Sequence, residues 1–190
     1  MLKSSLVLAA FLASATATAA VDKYKIDNAH TSLVFKINHM GFSNTYGVFT
    51  GGEGMFTIDE SKPDSATVEL KIKSDSINTL NAKRDQHLKS PDFFNVKANP
   101  VITFKSKSIK KTGADTYKVE GDFAMNGVTK PVSFDFKRGR TGKGMQGETR
   151  TGGDAVLKLK RSDYNMKFMN GENQIGDDVD VMISLEGVRE

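Results

Sequence analysis

The chain has no cysteine and no tryptophan, and only three histidines and four prolines among 190 residues. Without cysteine there is neither a disulfide nor a lipoprotein attachment site, so a stable fold must rest on its core. Three histidines far apart in the chain, with no cysteine to help them, argue against a structural zinc site. Long apolar runs are also missing. The run Leu6 to Leu12 falls well short of the roughly 20 residues that a membrane-spanning helix needs. Its setting gives it another meaning. Met1 to Ser5 is a short basic start, and Ala15 to Ala20 offers small-residue cleavage sites after Ala19 or Ala20. Residues 1–20 are read as a signal peptide and 21–190 as one exported domain, destined for the periplasm or secretion.

Without Lys3, the remainder carries 26 basic and 23 acidic residues. The excess is concentrated between Lys137 and Arg161, where eight basic residues meet only Glu148 and Asp154. Two readings stand: a solvated loop, or a surface that attracts anionic lipid head groups or a phosphorylated ligand. This stretch has no aromatic side chain on which bases could stack, so nucleic acid is not an expected partner.

Alternation of apolar and polar residues dominates the rest. Leu33, Phe35 and Ile37 share a face, as do Val68, Leu70 and Ile72, and Tyr117, Val119, Gly121 and Phe123. Asn126-Gly127 is a strong signal for a two-residue hairpin turn, and Val132, Phe134 and Phe136 pair back beyond it. Pro131 in that returning strand requires a bulge or an unpaired position. Ala155, Leu157 and Leu159, then Val179 to Leu185, complete the series. About eight or nine antiparallel strands, each with one apolar face, describe an all-β sheet wrapped on itself into a barrel of about eight strands. Phe35, Phe49, Phe56, Phe104, Phe123 and Phe134 fall on inward faces. Both a filled barrel and a hollow, ligand-holding one satisfy that pattern.

One segment breaks the strand rhythm. Asn81 is a good N-cap, and Pro91 turns Ser90 away from helical angles, so a short helix is expected to end near Lys89. On helical spacing Leu80, Arg84, His87 and Leu88 share one face, with Phe93 and Phe94 following in a compact turn. This insertion is expected to close one end of the barrel.

Constellations for catalysis are weak. Gly142-Lys143-Gly144-Met145-Gln146-Gly147 has the letters of a dinucleotide-binding loop but lies between antiparallel strands, without the βαβ context that such a loop needs. Serine, histidine and aspartate are present, but no Gly-x-Ser-x-Gly elbow is. No enzyme, metal or cofactor is expected.

The motifs in order carry a resemblance. Tyr24-x-Ile26-Asp27-x-x-His30, Phe35-x-Ile37-x-His39-x-Gly41-x-Ser43, Arg84-Asp85-x-His87-Leu88-x-Ser90-x-Asp92-Phe93-Phe94, Asn126 to Val132 and Arg161-Ser162-Asp163 together resemble the YceI-like family across residues 22 to 189. The resemblance implies an extended, lipocalin-like antiparallel barrel, exported by bacteria and without catalytic activity. It also implies a long apolar ligand, either an isoprenoid of quinone or prenyl phosphate type or a fatty acyl lipid. A homodimer and transient membrane contact are the other partners considered. The family positions His39, Arg84, His87, Phe93, Phe94 and Arg161 are placed around the ligand. With Phe42, Phe49, Leu88, Phe104, Phe123 and Phe168 they make up the candidate ligand-binding set. The chain departs from the family pattern at Thr50-Gly51-Gly52 and at Tyr164-Asn165, two places where pocket width or its polar groups can change.

Overall fold

The computed structural model describes residues 21–190; the signal-peptide reading of residues 1–20 lies outside them. Twelve strand segments form one antiparallel sheet. They are β1 (Asp22–Ile26), β2 (Ser32–His39), β3 (Ser43–Phe49), β4 (Gly52–Ile58), β5 (Thr67–Lys73), β6 (Ile77–Asn78), β7 (Val101–Lys111), β8 (Thr116–Met125), β9 (Val128–Arg138), β10 (Gly142–Lys143), β11 (Thr149–Lys160) and β12 (Ile175–Arg189). Their lengths follow the apolar alternation, which fixes the inward face and with it the register.

Eight of them close a ring. β1, β4, β5, β7, β8, β9, β11 and β12 are joined in that order, and pairing of β1 with β12 completes the circuit. The other long segments extend the barrel at one end. β2 pairs with the first half of β12, β3 with β2, and β6 with the end of β3. Three long strands are therefore bent in the middle. β1 and β2 are separated by the short 3-10 turn Asn28–His30, β3 and β4 by Thr50-Gly51, and β5 and β6 by the 3-10 turn Ser74–Ser76. The second of these breaks falls among Gly51, Gly52 and Gly54, in keeping with the weakness of glycine in a straight strand.

On its other side from β8, β7 pairs with β5 and not with β6, so the extended end has a gap in the ladder between β6 and β7, and α1 follows directly on β6 there. The helix α1 (Ala82–Leu88) starts where the Asn81 side chain accepts a hydrogen bond from the Arg84 N–H at 3.0 Å. Lys89 caps it, and residues 89–99 fold back in tight turns, with Phe94 N bonding to Leu88 O and Val96 N to Lys89 O. One expectation fails here. Leu80 does not share the helix face with Arg84, His87 and Leu88, because it precedes the cap at φ 60° and is 94% exposed.

The Asn126-Gly127 turn forms as the hairpin signal requires, with φ of 48° and 75°. Counting back from its closing pair Met125↔Val128 puts Pro131, opposite Asp122, in a non-hydrogen-bonded position, so its missing N–H faces away from β8. On that side the ladder between β9 and β11 runs only over Phe136, Lys137 and Arg138. Pro131 therefore sits on an unpaired edge, the second of its two sequence alternatives. The barrel closes through a three-residue seam, beyond which the edges of β9 and β11 have no ladder partner in each other.

Candidate functional site

The inward faces do not fill the barrel. They enclose a cavity of about 770 Å³ whose walls are almost entirely apolar. Along β11 it extends from Thr151 to Leu159, which at strand rise is about 26 Å of chain. Phe104, Phe123, Phe134 and Leu157 line the middle, and Ile183 and Leu185 of β12 face them.

Eleven of the twelve candidate residues line this cavity: His39, Phe49, Arg84, His87, Leu88, Phe93, Phe94, Phe104, Phe123, Arg161 and Phe168. Phe42 does not. It stands at the tip of the β2–β3 hairpin, 85% exposed, because the left-handed pair Met40 and Gly41 turns the chain outward before it.

At the α1 end, aromatic rings pack edge to face. His87 meets Phe93 at 5.1 Å and Phe168 at 4.9 Å between ring centroids, and Phe49 meets Phe94 at 5.5 Å. Some of the polar groups there are engaged. His87 Nε2 lies 2.8 Å from Asp92 Oδ2. Arg84 donates from Nε to Thr79 Oγ1 at 2.8 Å and from Nη2 to the Thr79 carbonyl at 2.7 Å. His39 is exposed on the rim.

Arg161 is 3% exposed, and all five of its N–H groups serve the loop between β11 and β12. They bond to the carbonyls of Met166, Phe168, Met169, Ile175 and Gly176 and to the side chain of Asn170. Burial pushes its pKa down from the usual arginine value. Its position lets it touch the cavity, but its donors build the loop that holds Phe168.

Polar groups also meet at the opposite end, where Asp59, Tyr117, Arg138 and Thr151 line the cavity. Sequence reading counted Arg138 only within a basic stretch. The signal that could have found it is its spacing, two residues after Phe136 and four after Phe134 on the inward face.

Half of that basic stretch is engaged, three residues in ion pairs and Arg161 inside its loop. Arg138 pairs with Glu60, Arg150 with Asp27, Glu148 and Glu186, and Lys160 with Asp178. Among the described residues, the one trio with metal-ligating spacing is Asp27, His30 and Glu186, and the Arg150 guanidinium already fills it. The glycine-rich 142–147 segment is the β10–β11 turn, with no helix after it.

A barrel with this interior and this inserted helix can be set beside known proteins. The family model of the YceI-like domain matches residues 24–187. The chain belongs to the YceI-like family. A protein called YceI from Escherichia coli O17:K52:H18 (strain UMN026 / ExPEC) is 40% identical over 187 residues, 97% of this chain and 96% of its own. A UPF0312 protein of Azotobacter vinelandii is 38% identical over 189 residues, 98% of this chain and 97% of its own. Among solved structures, a Campylobacter jejuni YceI protein superposes with a TM-score of 0.72 at 29% identity, covering 80% of this chain and 90% of that one. A polyisoprenoid binding domain from Saccharophagus degradans shares the fold, with a TM-score of 0.65 at 17% identity over 88% and 98% of the two chains. In this YceI-like chain the barrel is the shared architecture.

Proposed function

We propose that this YceI-like protein is exported and holds one long-chain isoprenoid, of quinone or prenyl phosphate type, or an acyl lipid inside its barrel, for transport, storage or sequestration. The observation that carries the reading is the continuous apolar cavity between two polar ends. The binding named for the Saccharophagus degradans domain supports the ligand class. The leader-like residues 1–20 support export to the periplasm. Exposed Phe42 and Leu80 near the α1 end suit transient contact with a membrane, where such lipids reside.

The energetics favour a carrier over a trap. Each buried CH₂ gives about 0.8 kcal/mol relative to water, so forty carbons would give about 32 kcal/mol, past the non-covalent ceiling near 20 kcal/mol. Water is the wrong reference for such a chain. From a bilayer, transfer of the tail into an apolar barrel is nearly neutral, and shape and head-group contacts decide selectivity.

Native mass spectrometry of protein purified from its own host, followed by lipid extraction, tests the reading. A stoichiometric isoprenoid or acyl lipid is expected. Ala155→Phe, which puts a ring into the mid-cavity wall, is expected to abolish loading while the far-ultraviolet circular dichroism stays that of the barrel. No lipid in the purified protein, and no uptake of prenyl or acyl chains in solution, would overturn it.

A further inference from the structure

We infer that the cavity end opposite α1 is a head-group site, built from Arg138, Tyr117 and Thr151, that takes a neutral hydrogen-bond acceptor such as a ketone, quinone or amide carbonyl. This rests on the lipid-binding reading above and assigns its polar end.

The donors are fixed by proton bookkeeping. Arg138 continues the inward row of Phe134 and Phe136, and its side chain is only 14% exposed. Its Nη2 donates to Glu60 Oε1 at 2.6 Å and to Thr141 Oγ1 at 2.8 Å, which uses both hydrogens of that nitrogen. Having accepted this bond, Thr141 donates its one hydroxyl hydrogen to Thr151 Oγ1, also at 2.8 Å. Thr151 is 2% exposed and lines the cavity, and its own hydroxyl hydrogen has no acceptor among the described residues. The Tyr117 oxygen stands beside the guanidinium and stabilises its charge. Of the three remaining N–H groups of Arg138, on Nε and Nη1, one can go to the Tyr117 oxygen, and the other two have no acceptor among the described residues. Arg138 and Thr151 therefore present unengaged donors at a largely buried part of an apolar cavity.

The surrounding charges choose the acceptor. Glu60 already pairs with Arg138, and Asp59 beside it lines the same end, its carboxylate held by the Ser61 hydroxyl and by the Ser61 and Lys62 N–H groups. Lys62 and Lys111 also face these carboxylates, but both are exposed and neither lines the cavity, so from inside it a phosphate or carboxylate would meet two carboxylates with one guanidinium, whereas a neutral carbonyl accepts the free hydrogens without that repulsion. The α1 end offers less. Arg161 has no free N–H, His87 is turned to Asp92, and Arg84, which gives two of its five N–H groups to Thr79, is exposed to solvent. The polar groups there are also mostly exposed, so water competes for them.

The test measures displacement of a fluorescent apolar probe from delipidated protein by palmitamide, palmitate, hexadecyl phosphate and hexadecane, ligands that share one chain length. Wild type is expected to prefer the amide over both anions. Arg138→Met and, separately, Thr151→Val are expected to cut amide affinity by about tenfold or more for the arginine, and less for the threonine, while hexadecane affinity stays unchanged. Thr151→Val keeps the side-chain shape and the Arg138–Glu60 pair, so it reports even if Arg138→Met fails to fold. An unchanged amide-to-hexadecane ratio in the folded variants overturns the head-group site alone. So does a wild type that binds the phosphate best. If neither amide nor hexadecane binds wild type, the lipid-binding reading falls, and this one with it.

Discussion

Single side chains in this molecule act mostly by tying distant segments together. Arg150 reaches Asp27 at 2.6 Å, as well as Glu148 and Glu186, and so joins the turn after β1 to β11 and β12. His30 adds an imidazole 2.8 Å from the same Asp27 carboxylate. Chiefly through the His30 hydrogen bond, and then through Arg150, the Asp27 pKa is lowered from 3.8 to about 2. A depressed folded pKa means stability that is fully present above the unfolded value and lost as pH falls toward the folded one. Wild type is therefore expected to exceed Asp27→Asn by on the order of 1 kcal/mol at neutral pH, after allowance for solvent screening, with the gap closing between about pH 4 and pH 2. Urea unfolding of both proteins across that range checks it; a gap that persists at the acid end would mean that charge is not the cause. None of this was legible in the sequence, where Asp27 and His30 were family letters and Arg150 one cation among eight. Partners more than a hundred residues apart leave no periodicity to read.

Elements were legible where local chemistry alone decides them. Asn81 and Pro91 bound the helix, and Asn126-Gly127 forces a left-handed pair that only a tight hairpin uses. The tethers on those elements were not. Asn126 accepts from Asn99 Nδ2 at 3.0 Å and donates to the Tyr164 carbonyl at 2.9 Å, so the hairpin tip holds both the segment after α1 and the turn after β11. Two substitutions separate turn from tether. Asn126→Gly keeps the left-handed backbone and loses both bonds, for an expected cost of about 1–2 kcal/mol; Asn126→Ala adds backbone strain and is expected to cost about 1 kcal/mol more. Denaturant midpoints of the two variants measure the difference. Equal costs would remove backbone strain from the account. Leu80 shows the limit of periodic reasoning: helical spacing grouped it with Arg84, but one positive φ before the cap sent it to solvent.

At the scale of the whole molecule, alternation was enough to give the barrel, because a sheet with one apolar face must close on itself or find a second layer. It could not say whether the barrel was hollow. That depends on how closely opposite walls approach, which is a property of the ring and of no single strand. Nor could it locate the weak place in the ring. β11 is paired with β12 along eleven residues but with β9 along three. Amide hydrogen exchange is therefore expected to alternate along Val156 to Lys160, with the amides facing β9 exchanging faster than those facing β12, while β8, paired on both sides, is protected more evenly. Nuclear magnetic resonance of the exchanging protein reads this residue by residue. Uniform protection along β11 would mean that the seam is closed in solution.

The same seam bears on how copies of the chain behave toward each other. An unpaired strand edge is a template on which a neighbouring chain can add its own strand, and concentrated protein is where such additions begin. Pro131 stands on that edge with no N–H to offer, and Lys130 beside it reaches across to Asp163. The residue that first looked like an interruption of a strand thus acts as a guard: it withholds one donor that an added strand would need, and so disfavours self-association along the open margin.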